Sequence, residues 1–313
     1  MYRNKNDEKS HQIQYLPISL PRINKKVKIM THTLKKIIGF CSLTTCLFVL
    51  YPQVAASQNR TVQLFAHRGG AFEFDENTMS AFEGSYNSGL RGFETDVRIT
   101  KDGVLVIFHD ASLERMTGQE GSIEEITWAE LRSVRTKKGN PIPTVDEVIN
   151  FFADKPGIYL EFEMKTDEKN YPLEKLEKYC DQLYEKVTAK KPASSTYLFT
   201  SFDKRPLRYI KASYPDADML FITPKPCSNE TVKEALDLGI NRLGCTLDGT
   251  SRASVKAAHA AGVFVSCYPG RSLEDFQLGV ALGCDFLCSD IPVQVKQWVD
   301  KWSDSDVLNV TVK

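Results

Sequence analysis

The chain has 313 residues, with 40 Lys+Arg against 40 Asp+Glu and 42% hydrophobic residues. That balance excludes a disordered chain, a basic nucleic-acid binder and a multi-pass membrane protein. The length suits one or two domains of about 150 residues, or one large barrel of about 250. The charges are unevenly spread: residues 1–56 hold nine Lys/Arg and two Asp/Glu, leaving residues 57–313 with 31 and 38, a net of about −7. An acidic chain repels nucleic-acid phosphates, so any phosphate it binds needs local cations or a metal.

The first 56 residues read as an address. An apolar run at residues 37–51 follows Lys35 and Lys36 and precedes Pro52 and Val54-Ala55-Ala56. A positive flank, a short apolar stretch and small residues beyond it make an export signal cut near Ala56, so a periplasmic or secreted protein is expected. The alternative is an anchor formed by uncleaved residues 37–56, although the run is short for a span of about 20 residues. Met30 is a better start for such a signal than Met1. Cys41 and Cys46 fall within it, and neither sits in a lipoprotein box.

From residue 61 onward, β-branched or aromatic runs alternate with helical patterns. Strands are expected at 62–67, 92–99, 158–165, 197–201, 219–223, 242–246, 263–268 and 285–289. Met79, Phe82, Tyr86 and Leu90 recur at helical spacing, and Leu173, Leu176, Cys180, Leu183 and Val187 mark a second buried stripe. A ninth run, 104–109, follows the turn signal Thr100-Lys101-Asp102-Gly103 and so doubles back antiparallel on the strand before it. Setting it aside leaves eight βα units, the count of an α/β (β/α)8 TIM barrel over residues 57–313. Residues 110–157, the longest gap between staves, read as a small insertion with short helices near 123–134 and 145–152. The six remaining cysteines are an even number, which permits disulfides after export. Cys245 and Cys267, however, interrupt apolar runs and read as buried thiols.

Active sites of such barrels lie at the C-terminal ends of the strands. There the first strand ends His67-Arg68-Gly69-Gly70, the second carries Glu94 and Asp96, the hairpin strand ends His109-Asp110, and the third stave carries Glu161, Glu163 and Lys165. Residues two apart on a strand point the same way, so these charges share the barrel interior, where they are costly unless paired or metal-bound. Three carboxylates, Glu94, Asp96 and Glu163, suit one hard divalent cation, Mg2+ or Ca2+. Arg68 can fork a phosphate and Lys165 can add a point charge. Two histidines, His67 and His109, complete a proton acceptor and a proton donor for breaking a phosphate ester. His259, in an Ala-rich helix, reads as a surface or packing residue.

These motifs resemble the glycerophosphodiester phosphodiesterase family. They are His67-Arg68-Gly69 with Glu76-Asn77-Thr78, Glu94-Thr95-Asp96-Val97, Thr100–Gly103, His109-Asp110, Leu113–Gly118, Glu163-Met164-Lys165, Ser201-Phe202-Asp203 and Ser289-Asp290-Ile291-Pro292, in order over about residues 63–293. The resemblance implies a TIM barrel with an insertion after the second histidine. It also implies metal ligands at Glu94, Asp96 and Glu163, with His67 and His109 as acid and base. In the implied scheme the substrate's glycerol hydroxyl attacks phosphorus and water opens the cyclic phosphate, giving glycerol 3-phosphate and an alcohol. Glu76-Asn77-Thr78 reads as helix capping and support of the ligands. Two departures stand out. Asp75 replaces a proline frequent in the family, and Ser266-Cys267-Tyr268-Pro269 replaces a Trp-containing strand end, leaving Tyr268 or Phe202 to wall the pocket.

The expected partner is a small glycerophosphodiester, and no nucleic acid. The alternative on the same fold is a lysophospholipid-cleaving enzyme working on a lipid or membrane-surface substrate, with Phe72 and Phe74 as an apolar shelf. A catalytically inactive binding barrel is the other alternative, although no ligand or histidine is missing.

Overall fold

Side-chain alternation along the strands sorts this chain into an inner and an outer face. The computed structural model describes residues 60–302 and 310–313, so the expected export signal lies outside the described residues. Its strands are β1 (Arg60–Ala66), β2 (Gly92–Ile99), β3 (Leu105–Ile107), β4 (Tyr159–Met164), β5 (Thr196–Ser201), β6 (Met219–Pro226), β7 (Arg242–Thr246), β8 (Phe264–Gly270), β9 (Phe286–Ser289) and β10 (Val310–Val312). All but β3 and β10 pair in parallel in chain order, and β1 pairs with both β2 and β9. The result is the closed eight-stranded parallel barrel that the βα rhythm predicts.

Helices α1 (Met79–Asn87), α2 (Val145–Phe152), α3 (Leu173–Ala189), α4 (Lys204–Ser213), α5 (Asn229–Asp237), α6 (Arg252–Ala260), α7 (Leu273–Leu282) and α8 (Pro292–Trp302) follow the staves. Their starts are written locally: Thr78, Thr144, Ser228, Ser251 and Ser272 each accept a first-turn N–H, worth about 1 kcal/mol apiece. The outward residues of the strands, such as Leu64, Phe93 and Phe162, form one core with Leu176, Tyr179 and Leu183 of α3 and Leu207 of α4. Phe152 of α2 packs its ring against Phe82 and Phe93, so this helix lies on the barrel wall. The inward residues Phe65, Tyr159, Leu198, Leu220, Ile222 and Cys288 form a second, smaller cluster.

β3 is shorter than the sequence run and pairs antiparallel with β2, Val97 opposite Ile107 and Ile99 opposite Leu105. The turn is closed by Gly103 N–H to Thr100 O at 3.0 Å. The loop beyond it has its own core of Phe108, Leu113, Ile123, Leu131, Val134 and Ile142. Asp75 explains its place here. It is buried and accepts from Thr136 Oγ1 at 2.5 Å and Asn140 Nδ2 at 2.8 Å, pinning the loop after β1 to the insertion, which proline could not do. β10, which the sequence reading did not anticipate, extends the sheet beside β1 through three register pairs; so short a run carries no readable period. The six cysteines of this region are buried thiols. Among the described residues no helix is long and apolar enough to cross a membrane.

Candidate active site

The chain leaves β1 through a tight turn that depends on left-handed backbone. Arg68 has φ 52° and Gly69 φ 80°, and a Cβ on Gly69 would stand 2.8 Å from that of Ala81. The turn aims the Arg68 N–H at Glu94 Oε2, 2.8 Å away, and brings its guanidinium to Glu76 Oε1 at 3.0 Å and Asp96 Oδ2 at 3.4 Å. Asn77, also left-handed at φ 57°, donates to Asp96 Oδ2 at 2.7 Å and accepts from Thr95 Oγ1 at 3.0 Å. Glu76 is shared with Arg115 of the insertion at 2.6 Å. The Glu-Asn-Thr segment thus pairs a cation, orients a carboxylate and caps α1.

β2 and β4 are in parallel register, Glu94 beside Glu161 and Asp96 beside Glu163. That register stacks four acidic side chains on the inner wall. Glu94, Asp96 and Glu163 each offer an oxygen within 4.8 Å of the others, all three residues buried. Lys165 Nζ lies 2.7 Å from Glu163 Oε1 and 3.3 Å from Asp96 Oδ1. Glu94 Oε1 and Asp96 Oδ1 are nonetheless buried without a hydrogen bond. Buried hard oxygen atoms without a hydrogen bond, on carboxylates that converge within 4.8 Å, fit a hard divalent cation.

Electrostatics divide this cluster. Burial raises the Glu94 carboxyl well above its ordinary range, and the neighbouring Asp96 and Glu163 push the same way. Burial also works to raise Asp96, but Lys165, His109 and Arg68 overcome it and hold this carboxyl well below the usual range. Glu161, deeper in the barrel, is pushed up to about 7 by burial, with Glu163 adding to the effect and a hydrogen bond from the Tyr159 hydroxyl opposing it.

The two histidines stand on either side of the cluster, each backed by an aspartate. His67 Nδ1 is 2.5 Å from Asp290 Oδ1, just beyond β9, and His109 Nδ1 is 2.6 Å from Asp110 Oδ1. An ionised carboxylate only accepts, so Nδ1 carries the proton and Nε2 is left for a substrate. Burial lowers the His109 pKa from its ordinary value, with Lys165 and Arg68 adding to it and Asp96 opposing. Its carbonyl is held by Arg98 Nε at 2.9 Å, and Arg98 in turn pairs with the buried Glu124 at 2.7 Å.

Both histidines, Arg68, Glu94, Glu163 and Lys165 line one wall of a cavity of about 280 Å³ at the strand ends. All seven residues singled out in the sequence therefore converge, six of them on the cavity and Asp96 directly behind it. Across from them stand Phe202 and Tyr268, ring centroids 5.8 Å apart and edge to face. His259 lies elsewhere, paired with Asp285 at 2.8 Å. Phe72 is exposed, whereas the Phe74 ring packs over Gly84 and Gly70. Sequence reasoning passed over the roles of Asp290, Arg98, Glu124 and Arg115. The Ser-Asp-x-Pro motif signalled the first and the Leu113–Gly118 motif contains Arg115, but Arg98 and Glu124 carry no local signal.

An acidic cluster set between cations and carboxylate-backed histidines thus stands on the C-terminal rim of a (β/α)8 barrel. Residues 67–294 match the glycerophosphoryl diester phosphodiesterase family, and the chain belongs to that family. It is similar to a glycerophosphodiester phosphodiesterase of Bacillus altitudinis, 36% identical over 117 residues, 35% of this chain and 48% of that protein. It also resembles human lysophospholipase D GDPD1, 33% identical over 135 residues, 38% of this chain and 43% of that protein. The matched segment thus spans about half the length of these curated relatives. Among solved structures it is similar to an Oleispira antarctica phosphodiesterase bound to the product sn-glycerol-3-phosphate. That likeness has TM-score 0.69 and 25% identity, and covers 76% of this chain and 96% of that one.

Proposed function

We propose that the protein is a metal-dependent phosphodiesterase that hydrolyses glycerophosphodiesters to glycerol 3-phosphate and an alcohol. The observation that carries this reading is the buried carboxylate trio with two unsatisfied oxygens, flanked by two histidines whose Nδ1 atoms are each tied to an aspartate. Family membership and the product held by the Oleispira relative support the substrate class.

Glu94, Asp96 and Glu163 would hold one Mg2+ or Ca2+, which supplies charge neutralisation and polarisation at a phosphoryl oxygen. Arg68 and Lys165 bind the phosphate's remaining oxygens. Their present carboxylate partners keep them ordered and aimed at the cavity. One histidine Nε2 takes the proton of the glycerol hydroxyl as its oxygen bonds to phosphorus. The other gives a proton to the departing alcohol oxygen as that bond breaks. Exchanged roles then let water open the cyclic phosphate. Each such proton transfer is worth roughly 10²–10⁴ in rate. Export through residues 37–56 belongs to the same reading and would bring the enzyme to diesters outside the cytoplasm.

The test uses residues 57–313, stripped with chelator and assayed for glycerol 3-phosphate release from glycerophosphocholine after Mg2+ or Ca2+ is restored. Metal-dependent release that disappears in His67→Ala and in Glu94→Ala is expected. Turnover surviving both substitutions would refute the site.

A further inference from the structure

The cavity is chemically lopsided. Its carboxylates sit on the β2 and β4 wall, while the opposite side, from Phe202 round to Arg271, carries no carboxylate on the lining and one cation. That cation differs from the other two. Arg68 and Lys165 are 17% and 13% exposed and each is held by two carboxylates. Arg271 is 67% exposed, and its one ion pair is a long 3.5 Å contact from Nε to Asp290 Oδ2. Its terminal nitrogens make no side-chain hydrogen bond among the described residues.

The segment that presents it is fixed. The Arg271 N–H donates to Asp275 Oδ2 at 2.8 Å, and Ser272 beside it caps α7 by accepting from the Asp275 N–H. The Nε contact to Asp290 ties the guanidinium to the carboxylate that holds His67. Arg271 therefore stands at the cavity rim, beside the histidine on β1 and out from the acidic wall. If a substrate's phosphate lies between Arg68 and Lys165 with its leaving alcohol toward solvent, that alcohol reaches this rim. Phe65, Leu220 and Ile222, all buried, line the apolar floor of the cavity. The rival for a cationic alcohol is the aromatic surface of Phe202, but Lys165 Nζ already stands 5.9 Å over that ring, and a second cation there is repelled.

Resting on the phosphodiesterase reading, we infer that Arg271 is a specificity-determining residue that selects diesters whose leaving alcohol carries a second anionic group. A guanidinium whose two terminal nitrogens make no hydrogen bond to protein can fork a phosphate in a geometry that lysine does not reproduce.

A matched pair of substrates tests this: glycerophosphoglycerol, and the same diester with a phosphomonoester on its outer glycerol, each followed as loss of the diester phosphorus resonance. The wild type is expected to favour the phosphorylated diester by about tenfold in kcat/KM, with the ratio shrinking as salt is raised. Arg271→Gln should bring the ratio to about one, and Arg271→Lys should leave an intermediate value. A wild-type ratio near one overturns the inference and leaves the phosphodiesterase reading standing. So does an unchanged ratio in Arg271→Gln, even if both rates fall. Absence of turnover of both diesters by the metal-loaded wild type refutes the reading and the inference together.

Discussion

Replacing Glu94 by Gln should act in opposite directions on the metal-free and the metal-loaded protein. In the metal-free protein the Glu94 carboxyl is raised by burial first and by Asp96 and Glu163 next. A carboxyl raised on folding stays protonated after its unfolded counterpart has ionised, so the folded state binds more protons and stability falls as pH climbs above the ordinary value of 4.5. Gln removes that loss while preserving the shape, so metal-free Glu94→Gln should melt at or above the wild type at pH 8. Adding metal reverses the order. A cation at a hundred times its dissociation constant stabilises the wild type by about 2.7 kcal/mol. For a domain of this size that raises the melting midpoint by about 5–10 °C. A variant whose affinity falls about a hundredfold sits at its own dissociation constant and gains only about 0.4 kcal/mol, close to 1 °C. The assay is thermal unfolding at pH 8 after chelation, titrated with Mg2+ and with Ca2+. Crossing curves are expected. A wild type whose midpoint ignores both ions, or a Glu94→Gln protein that responds as the wild type does, would refute the assignment of this trio as a metal site.

Two further predictions concern Glu161 on the same wall of the barrel and Asp290 just beyond β9. Glu161 is pushed up to about 7 by burial, so its folded form resists ionisation and stability drains away as pH rises from about 4.5 to 7. Glu161→Gln should therefore stabilise the metal-free protein by roughly 3 kcal/mol at pH 8 and very little at pH 4, and equal gains in denaturant midpoint at both pH values would sink this account. Asp290→Asn leaves an acceptor for His67 Nδ1–H but no charge to stabilise the imidazolium, so kcat should fall about 10²-fold with KM little changed; a kcat within about threefold of wild type would show that Asp290 is only packing.

The parts of this site that could be read in the sequence are those whose signal is local. Glu94 and Asp96 on one strand, and Glu163 and Lys165 on another, announce a charged inner face because the strand period is two. The turn before β3 announces the hairpin, and with it the need to leave that strand out of the barrel count. What could not be read is made by chain closure. Asp290 meets His67 across 223 positions, and Glu124 meets Arg98 from an insertion whose path no periodicity fixes. The left-handed backbone at Arg68 and Asn77 was hidden for another reason. Neither residue is glycine, so composition gives no hint that the Arg68 amide, rather than its side chain alone, reaches Glu94.

On the proposed reading, the same cations that would bind a phosphate would also prepare the carboxylates for a metal. Lys165, His109 and Arg68 hold the Asp96 carboxyl well below the usual range against the upward push of burial, while Glu94, with weaker cationic support, is raised well above it. The metal-free cluster thereby pairs a carboxyl that ionises readily with one that resists ionisation, and a bound cation would favour the ionised form of both. With a cation held by Glu94, Asp96 and Glu163, the electrostatic hold of Asp96 and Glu163 on Lys165 would weaken, and so would that of Asp96 on Arg68. Both side chains can then turn their donors toward phosphate without leaving an uncompensated buried charge behind. On this reasoning metal and phosphate bind cooperatively, because each removes the cost of the charges that the other would leave unpaired.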